Sequence, residues 1–339
     1  MKRAAIVGLL IAVTSCILYG QQADVVYVEG IVDLKLAGGE RIEALIGDYL
    51  DRGDTVITDT GGYAELEQIN GYSIKISEGT IFTLQEIEQN GEKRSVLSTT
   101  LGAVAFKFGM MAGKEPLIAT PGAIAGVRGT EFQIFAGIDG STLVVVSSGK
   151  VEVEAQGQKV ELLPEEGVEV PAGGQPGEKF QVLRGQLDFS AWNSGRLESM
   201  LEDPAGAVRG IEKGMEAFRV KIRELEPLYE ANAERLKVER AKLPKLEEEK
   251  GSEARTKYYA DTVFPLEVET SYLRLNLRYY SLSALSFRRF VLGPMYARVK
   301  SAYIRRLDSD AYREFESVYR RILSDYEREV TPYLVEADF

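Results

Sequence analysis

Phe132-Gln133-Ile134-Phe135-Ala136-Gly137-Ile138-Asp139-Gly140-Ser141-Thr142-Leu143-Val144-Val145-Val146 decides the reading of the first half of the chain. Two runs of β-branched and aromatic residues flank an Asp-Gly pair, the dipeptide best suited to the positive φ angles of a tight hairpin turn. The same period-two pattern extends outward in both directions. Upstream lie Val25-Val26-Tyr27-Val28, Ile31 to Leu36, Thr55-Val56-Ile57-Thr58, Tyr63-Ala64-Glu65-Leu66 and, after the turn pair Asn70-Gly71, Tyr72 to Ile76. Downstream, Val151-Glu152-Val153-Glu154 turns at Gln156-Gly157-Gln158 into Val160 to Leu163. Many short strands separated by turn residues predict an all-β unit, a sandwich, roll or solenoid of sheet, over residues 24–186. Pro171 to Gly177 ends the sheet region.

After Asp188 the apolar period changes to that of a helix, with a short segment from Trp192 to Leu201 and a break at Asp203-Pro204-Ala205-Gly206. Val208, Ile211, Met215, Phe218, Ile222, Leu225 and Tyr229 then alternate steps of three and four, which is a heptad seam. Asn232 interrupts it before Leu236 resumes. An asparagine there either fixes a pairing register or marks the seam fraying into solvent. Pro227 is expected to kink this helix, and Pro244 with the acidic run Glu247–Glu249 to close it. A second stretch, about Glu253 to Leu292, is apolar on too many sides for a surface helix and reads as central. Pro265 is expected to bend or divide it, and Gly293-Pro294 to break it from a last helix carrying Tyr312, Phe315, Tyr319, Ile322, Tyr326 and Tyr333. The fold class is therefore α+β in two segregated domains, with a long-helix bundle or helical hairpin after the β unit. The divisions are a leader at 1–20, the β domain at 24–186, a short helix and linker at 187–206, and the helical domain at 207–339. Packing of the seams within the chain is favoured over a homo-oligomer, because the second stretch supplies a matching apolar surface next door.

Composition narrows the chemistry. The 339 residues exceed one ordinary core, and there is no histidine, which removes imidazole-based triads and His-ligated zinc. Cys16, the single cysteine, sits in an export signal: Lys2 and Arg3 precede an apolar run from Ala4 to Leu18. Cleavage after Gly20 would release a soluble periplasmic or secreted protein. Val13-Thr14-Ser15-Cys16 alternatively resembles a lipobox, which would tether the protein to a membrane through lipidated Cys16. Residues 196–339 hold 26 of the 41 basic and 26 of the 52 acidic side chains, so the net charge of −11 lies wholly in the first 195 residues. Such a domain repels nucleic acid and anionic headgroups, and no nucleic-acid partner is expected.

Ile118-Ala119-Thr120-Pro121-Gly122-Ala123-Ile124-Ala125-Gly126-Val127-Arg128-Gly129-Thr130-Glu131-Phe132 closely resembles the signature of the FecR domain. Gly47-Asp48, Gly53-Asp54 with Val56 and Thr58, Asn70-Gly71, Thr80, Gly102 with Val104 and Phe106, and Ser148-Gly149-Lys150-Val151 follow the family pattern in order. The resemblance covers about Gly47 to Val170. It implies an all-β extracytoplasmic domain, which in the founding members relays a signal from an outer-membrane transporter to a cytoplasmic sigma factor. Those regulators carry an anti-sigma segment and an internal membrane helix before the β domain; here an export signal stands there and a helical domain follows. The domain carries over and sigma-factor regulation does not.

The signature positions Gly47, Asp48, Gly53, Asp54, Thr120, Pro121, Val127, Arg128, Gly129, Thr130 and Phe132 are expected to be structural. Arg128 is read as a structural ion pair or carbonyl cap inside the sheet, with a ligand-binding cation as the alternative. Gly126 and Gly129 are expected to allow a bulge or a close backbone approach. Asp48, Asp51, Asp54 and Asp59 invite a catalytic or calcium reading, but Gly-Asp pairs are also ordinary turn chemistry. The tyrosines are expected to be core residues with polar tips. No catalytic residue, metal or cofactor is assigned. The functional expectation is an envelope binding or scaffold protein with a protein or envelope component as partner. A sensor arm working through a separate transducer, and a carboxylate-based glycan enzyme, are the alternatives.

Overall fold

The computed structural model describes residues 23–68, 71–109, 115–182 and 187–335. The leader with Cys16, and Asn70, lie outside the described residues. Seven short strands come first: β1 (Ala23–Glu29), β2 (Val32–Lys35), β3 (Arg41–Glu43), β4 (Tyr49–Leu50), β5 (Thr55–Thr58), β6 (Tyr63–Gln68) and β7 (Ser73–Ile76). A hairpin of β8 (Ile81–Gln89) and β9 (Glu92–Lys107) follows, then β10 (Leu117–Ala119). The hairpin read from Asp139-Gly140 is β11 (Ile124–Ala136) and β12 (Thr142–Ala155), and β13 (Gln158–Leu162), β14 (Glu166–Val170) and β15 (Phe180–Gln181) complete the sheet.

The expectation of uniformly short strands is corrected at β9, β11 and β12, which run 16, 13 and 14 residues. They are long because they change neighbours part way. Residues 92–101 of β9 pair with β8, and within them residues 96–98 pair in parallel with β10; residues 102–107 pair with β11, and 104–107 also with β7. Gly102 stands at the change. Its φ is +95°, and an added Cβ would lie 2.3 Å from Thr80 Oγ1. Thr80 is fully buried; its Oγ1 accepts from the Ala103 N–H (3.0 Å) and its own N–H donates to Thr58 Oγ1 (2.8 Å). On the neighbouring pair the corner is Gly129 against Gly149, with the register shifting between Arg128 and Glu131. Strands that switch partners at such corners fold a sheet over itself. The layers enclose one apolar core, in which Phe106 stacks on Phe132 with centroids 5.1 Å apart.

The helical part begins with α1 (Phe189–Glu202), and Asp203 then caps α2 (Pro204–Ala241) by accepting the Gly206 N–H at 2.8 Å. Proline at the first helical position costs nothing, because that N–H has no intrahelical partner. α2 runs 38 residues and continues through Pro227. Next come α3 (Leu243–Tyr258), α4 (Phe264–Phe287), α5 (Gly293–Ala302), α6 (Asp310–Glu329) and α7 (Thr331–Val335). Pro244 stands at the start of α3 and does not close α2; the acidic run Glu247–Glu249 lies in the first part of α3, just before Gly251, whose φ of +83° and ψ of 171° interrupt the helix.

Gly293-Pro294 does not break the chain either. A π-helical turn at Arg288–Leu292 precedes it, as another at Tyr259–Val263 precedes Pro265. Phe264 N–H reaches back five residues to Tyr259 O, and Gly293 N–H to Arg288 O. Widening the turn moves the carbonyl that a proline ring would strike, so the helix absorbs the proline. The break before the last helix falls instead at Tyr303–Ser309, where Ser309 caps α6.

The heptad seam packs within the chain. Val208, Ile211, Met215 and Ile222 are buried in one cluster with Leu277, Phe287, Phe315 and Ile322 from α4 and α6. Asn232 is half-buried, its Nδ2 without a partner among the described residues, and Leu236 joins a smaller cluster with Val263 and Leu266. Arg219 fastens α2 to the end of α6 through Glu329 (2.7 Å) and Asp325 (3.0 Å), and its hydrogen bond holds the Glu329 carboxyl down at about 2. Several tyrosines behave as expected: Tyr303 is buried with its hydroxyl donating to Leu201 O (3.2 Å), and Tyr296 stacks on Tyr319.

The folded sheet predicts a contrast between two glycines. Gly102→Ala should destabilise the β domain by about 3 kcal/mol, from a left-handed alanine and a clash with Thr80. Gly126→Ala, with nothing within 4 Å of its added Cβ, should shift stability by no more than about 0.5 kcal/mol. Denaturant unfolding of the two variants followed by circular dichroism checks it; equal losses would refute this account of the corner.

Candidate functional site

The β and helical parts meet along α4, which packs on α2 with one side and on β8 with another. Three side chains of α4 make the joint. Phe287 is fully buried: an added Cβ at Gly140, in the β11–β12 turn, would lie 3.1 Å from its ring, and one at Gly214 of α2 would lie 2.8 Å away. Tyr279 packs with Val96 and Ala119, and burial raises its hydroxyl far above the ordinary tyrosine range. Each ring contributes on the order of 2 kcal/mol through the apolar surface it removes from water. Asn276 reads the open edge of β8: its Oδ1 accepts the Glu88 N–H (2.7 Å) and its Nδ2 donates to Glu88 O (3.1 Å). One side chain thus satisfies both backbone groups that a further strand would have paired.

The signature segment lies under this joint. Thr120 Oγ1 accepts the Ala123 N–H (3.0 Å) and sits 2.7 Å from Thr142 Oγ1, while Thr120 and Pro121 share a small crevice with Phe218, Tyr279 and Phe287. Val127, Thr130 and Phe132 point into the core. Arg128 corrects the expectation of a buried ion pair. With Val127 facing inward, strand alternation turns Arg128 out to solvent, opposite Lys150, and it makes no ion pair among the described residues. Gly126 needs no close approach, whereas Gly129 meets Gly149 at the corner.

The aspartates are occupied with turns. Both oxygens of buried Asp54 accept backbone N–H groups, from Ala37 (2.7 Å) and Asp51 (2.8 Å). Asp48 Oδ2 accepts the Leu45 N–H (2.8 Å) beside Gly47, Asp51 Oδ1 that of Arg52 (2.7 Å) and Asp59 Oδ1 that of Thr60 (2.8 Å). Among the described residues no group of three or more acidic or thiol side chains is placed to hold a metal ion.

Where α4 leaves the sheet, a cleft opens against the Ala37–Gly39 and Asp51–Gly53 loops. It holds two adjoining cavities of about 260 and 270 Å³ that share Gly53, Gln85, Arg278 and Leu282. Gly53 brings its loop close: an added Cβ would lie 2.9 Å from Ala37 Cβ and 3.4 Å from an Arg278 nitrogen. Lys35 and Arg289 line the first cavity, and burial, followed by repulsion from Arg289, lowers the Lys35 ammonium. In the second, Glu86 is paired with Arg52. Sequence reading missed this cleft, because Lys35, Gln85, Arg278 and Arg289 are far apart in the chain. Gly210 and Gly214, four apart on one face of α2, were the available sign that something packs closely on that helix.

Asn276→Ala should loosen the joint by about 1–3 kcal/mol, since it strands two backbone groups. Faster amide exchange at Glu88, with the β8–β9 hairpin otherwise protected, is the expected result; unchanged exchange there would refute the docking role.

Residues 54–152 match the family model described as FecR protein, so Gly47, Asp48 and Gly53 lie outside the matched segment. Two solved structures of a candidate anti-sigma factor from Parabacteroides distasonis ATCC 8503, at 1.65 and 2.50 Å resolution, are each 22% identical to this chain, with TM-scores of 0.35 and 0.34. The match covers 42% of this chain and 65% and 64% of theirs, so the similarity spans less than two thirds of those chains. No curated protein matches the chain. The β half of this protein carries a FecR domain, over residues 54–152.

Proposed function

We propose that this chain is an exported, non-catalytic binding protein of the bacterial envelope, whose recognition site is the cleft between the FecR domain and the helical part. The observation that carries the reading is the joint itself. Phe287, Tyr279 and Asn276 cover the Thr120-Pro121 segment and the β8 edge, and leave a lined cavity beside them. The partner is a protein or an envelope component. The signature residues act structurally, as the hydrogen bonds of Asp54 and Thr120 and the burial of Phe132 support. The working division is a β domain at 24–186, a docked helix and linker at 187–206, and a helical domain at 207–339. No helix among the described residues is long and apolar enough to cross a membrane, which is compatible with a periplasmic protein or one tethered at Cys16. The aspartates, engaged with backbone, offer no converging pair for glycan hydrolysis.

A second reading, a sensor arm acting through a separate transducer, is favoured by the position of the cleft across the joint. A ligand held by both parts stabilises the docked state by as much as it prefers that state.

Two measurements test the proposal. Adding envelope extract should slow amide exchange at 51–54, 85–86 and 275–289 together; protection elsewhere alone, or none, would overturn the binding reading. Slowing that extends along α2 and α6 favours the sensor. The intact mass of protein taken from its native envelope should begin at Gln21 or at a lipidated Cys16, and a mass retaining Met1 would overturn export.

A further inference from the structure

We propose that the cleft binds a small organic anion, a carboxylate or phosphate carried on a short apolar body. The inference rests on the cleft being the recognition site and names what it recognises. Three cations from separate parts of the chain, Lys35 of β2, Arg278 of α4 and Arg289 of the following π-turn, line the cavity of about 260 Å³. No carboxylate lines that cavity, and none of the three makes an ion pair or hydrogen bond among the described residues. Arg289, exposed to solvent, lies over the Phe290 ring, 5.4 Å from its centroid.

Several other arginines are treated differently. Arg219 is bracketed by Glu216, Asp325 and Glu329, Arg321 by Glu212, and Arg52 by Glu86. The acids that line the adjoining cavity are already engaged: Glu86 also faces Lys93 at 3.7 Å, and Asp51 accepts a backbone N–H. Lys35 and Arg278 are half-buried and Arg289 is exposed; like charges held together without a counter-charge are unfavourable, most of all where burial removes water, and an anion removes that cost.

A second observation is independent of charge. Gln85 is 6% exposed, lines both cavities, and its Oε1 has no hydrogen-bond partner among the described residues. A buried amide oxygen without a partner is uncommon in folded proteins. Here it offers an acceptor for a hydroxyl, or for the proton of a monoprotonated phosphate. Leu282, Leu285 and Phe290 supply the apolar wall opposite. Guanidinium groups suit carboxylate and phosphate because their paired N–H donors match two oxygens. The volume admits one small molecule or one headgroup fragment.

The experiment is calorimetric titration of the mature full-length chain with phenyl phosphate, benzoate and, as the neutral analogue, benzyl alcohol. Flotation with phosphatidylglycerol and with phosphatidylcholine vesicles runs alongside. An anionic probe should bind at least tenfold more tightly than benzyl alcohol, and Arg278→Met or Lys35→Met should weaken it about tenfold or more. Arg278→Lys, which keeps the charge, should recover part of the loss. Binding of the free anions identifies a soluble ligand; Arg278-dependent flotation with phosphatidylglycerol alone identifies a headgroup.

Equal binding of the neutral analogue, or anion binding indifferent to variants that keep the wild-type melting temperature, would overturn the proposal. So would binding by no probe. If envelope extract still protects the cleft in that last case, only the anion assignment has failed; if it does not, the recognition site has failed as well. Leu334 lines the cavity and Glu336-Ala337-Asp338-Phe339 follows it, so a variant ending at Val335 is titrated too. Binding that appears only in the shortened chain would overturn the proposal for the full one.

Discussion

At Gly102 there is no room for a side chain, because Thr80 occupies the place a Cβ would take. Thr80 in turn is held by Thr58 and holds Ala103, so residues from β5, the turn before β8, and β9 meet at one point. Where they meet, β9 leaves one set of neighbours for another and the sheet begins to fold over. The folding-over brings Phe82, Phe106 and Phe132 into one common core. Thr58, Thr80 and Gly102 all belong to the pattern by which the sequence resembles the FecR domain, so the resemblance is in part a record of this corner.

The same reliance on close approach governs the joint. Phe287 fits between the Asp139-Gly140 turn and α2 because neither Gly140 nor Gly214 has a side chain. The joint therefore depends on the hairpin turn as well as on the bundle, and a change that moves either also moves α4. Since Arg278 and Asn276 stand on α4, the cleft and the joint are mechanically one feature. The β part supplies Lys35, Gln85 and the Gly53 loop, and the helical part supplies Arg278, Arg289 and the apolar wall. Neither half contains the cleft by itself.

The placement of charge follows from this arrangement. The β half carries the whole net charge of −11, yet its aspartates are spent locally on backbone N–H groups at turns. The helical half is balanced overall, and Arg209, Arg219, Arg223, Arg240 and Arg321 are matched to carboxylates on other helices. Lys35, Arg278 and Arg289, which line the cleft, are among the cations that no carboxylate pairs among the described residues. A balance counted along the chain thus says little about the field inside a cavity, which depends on which side chains the fold turns towards it.

By itself the sequence determined the division into a sheet part and a helical part, the Asp139-Gly140 hairpin, the seam of α2 and the break at Asp203-Pro204. These are set by local periodicity and local turn chemistry, which act over a few residues and are visible wherever they occur. It misplaced the break before the last helix, because a π-turn lets a helix pass a proline and nothing local distinguishes that outcome from a stop. It also misplaced Arg128, whose surroundings depend on which face of a strand turns outward. Tertiary structure alone decided that β9 changes partners, that Asn276 covers the edge of β8, and that Lys35, Gln85, Arg278 and Arg289 converge. Each of these is a meeting of residues far apart in the chain. The physical reason is that such contacts are selected by packing and burial across the whole fold, and no spacing within a short window encodes them.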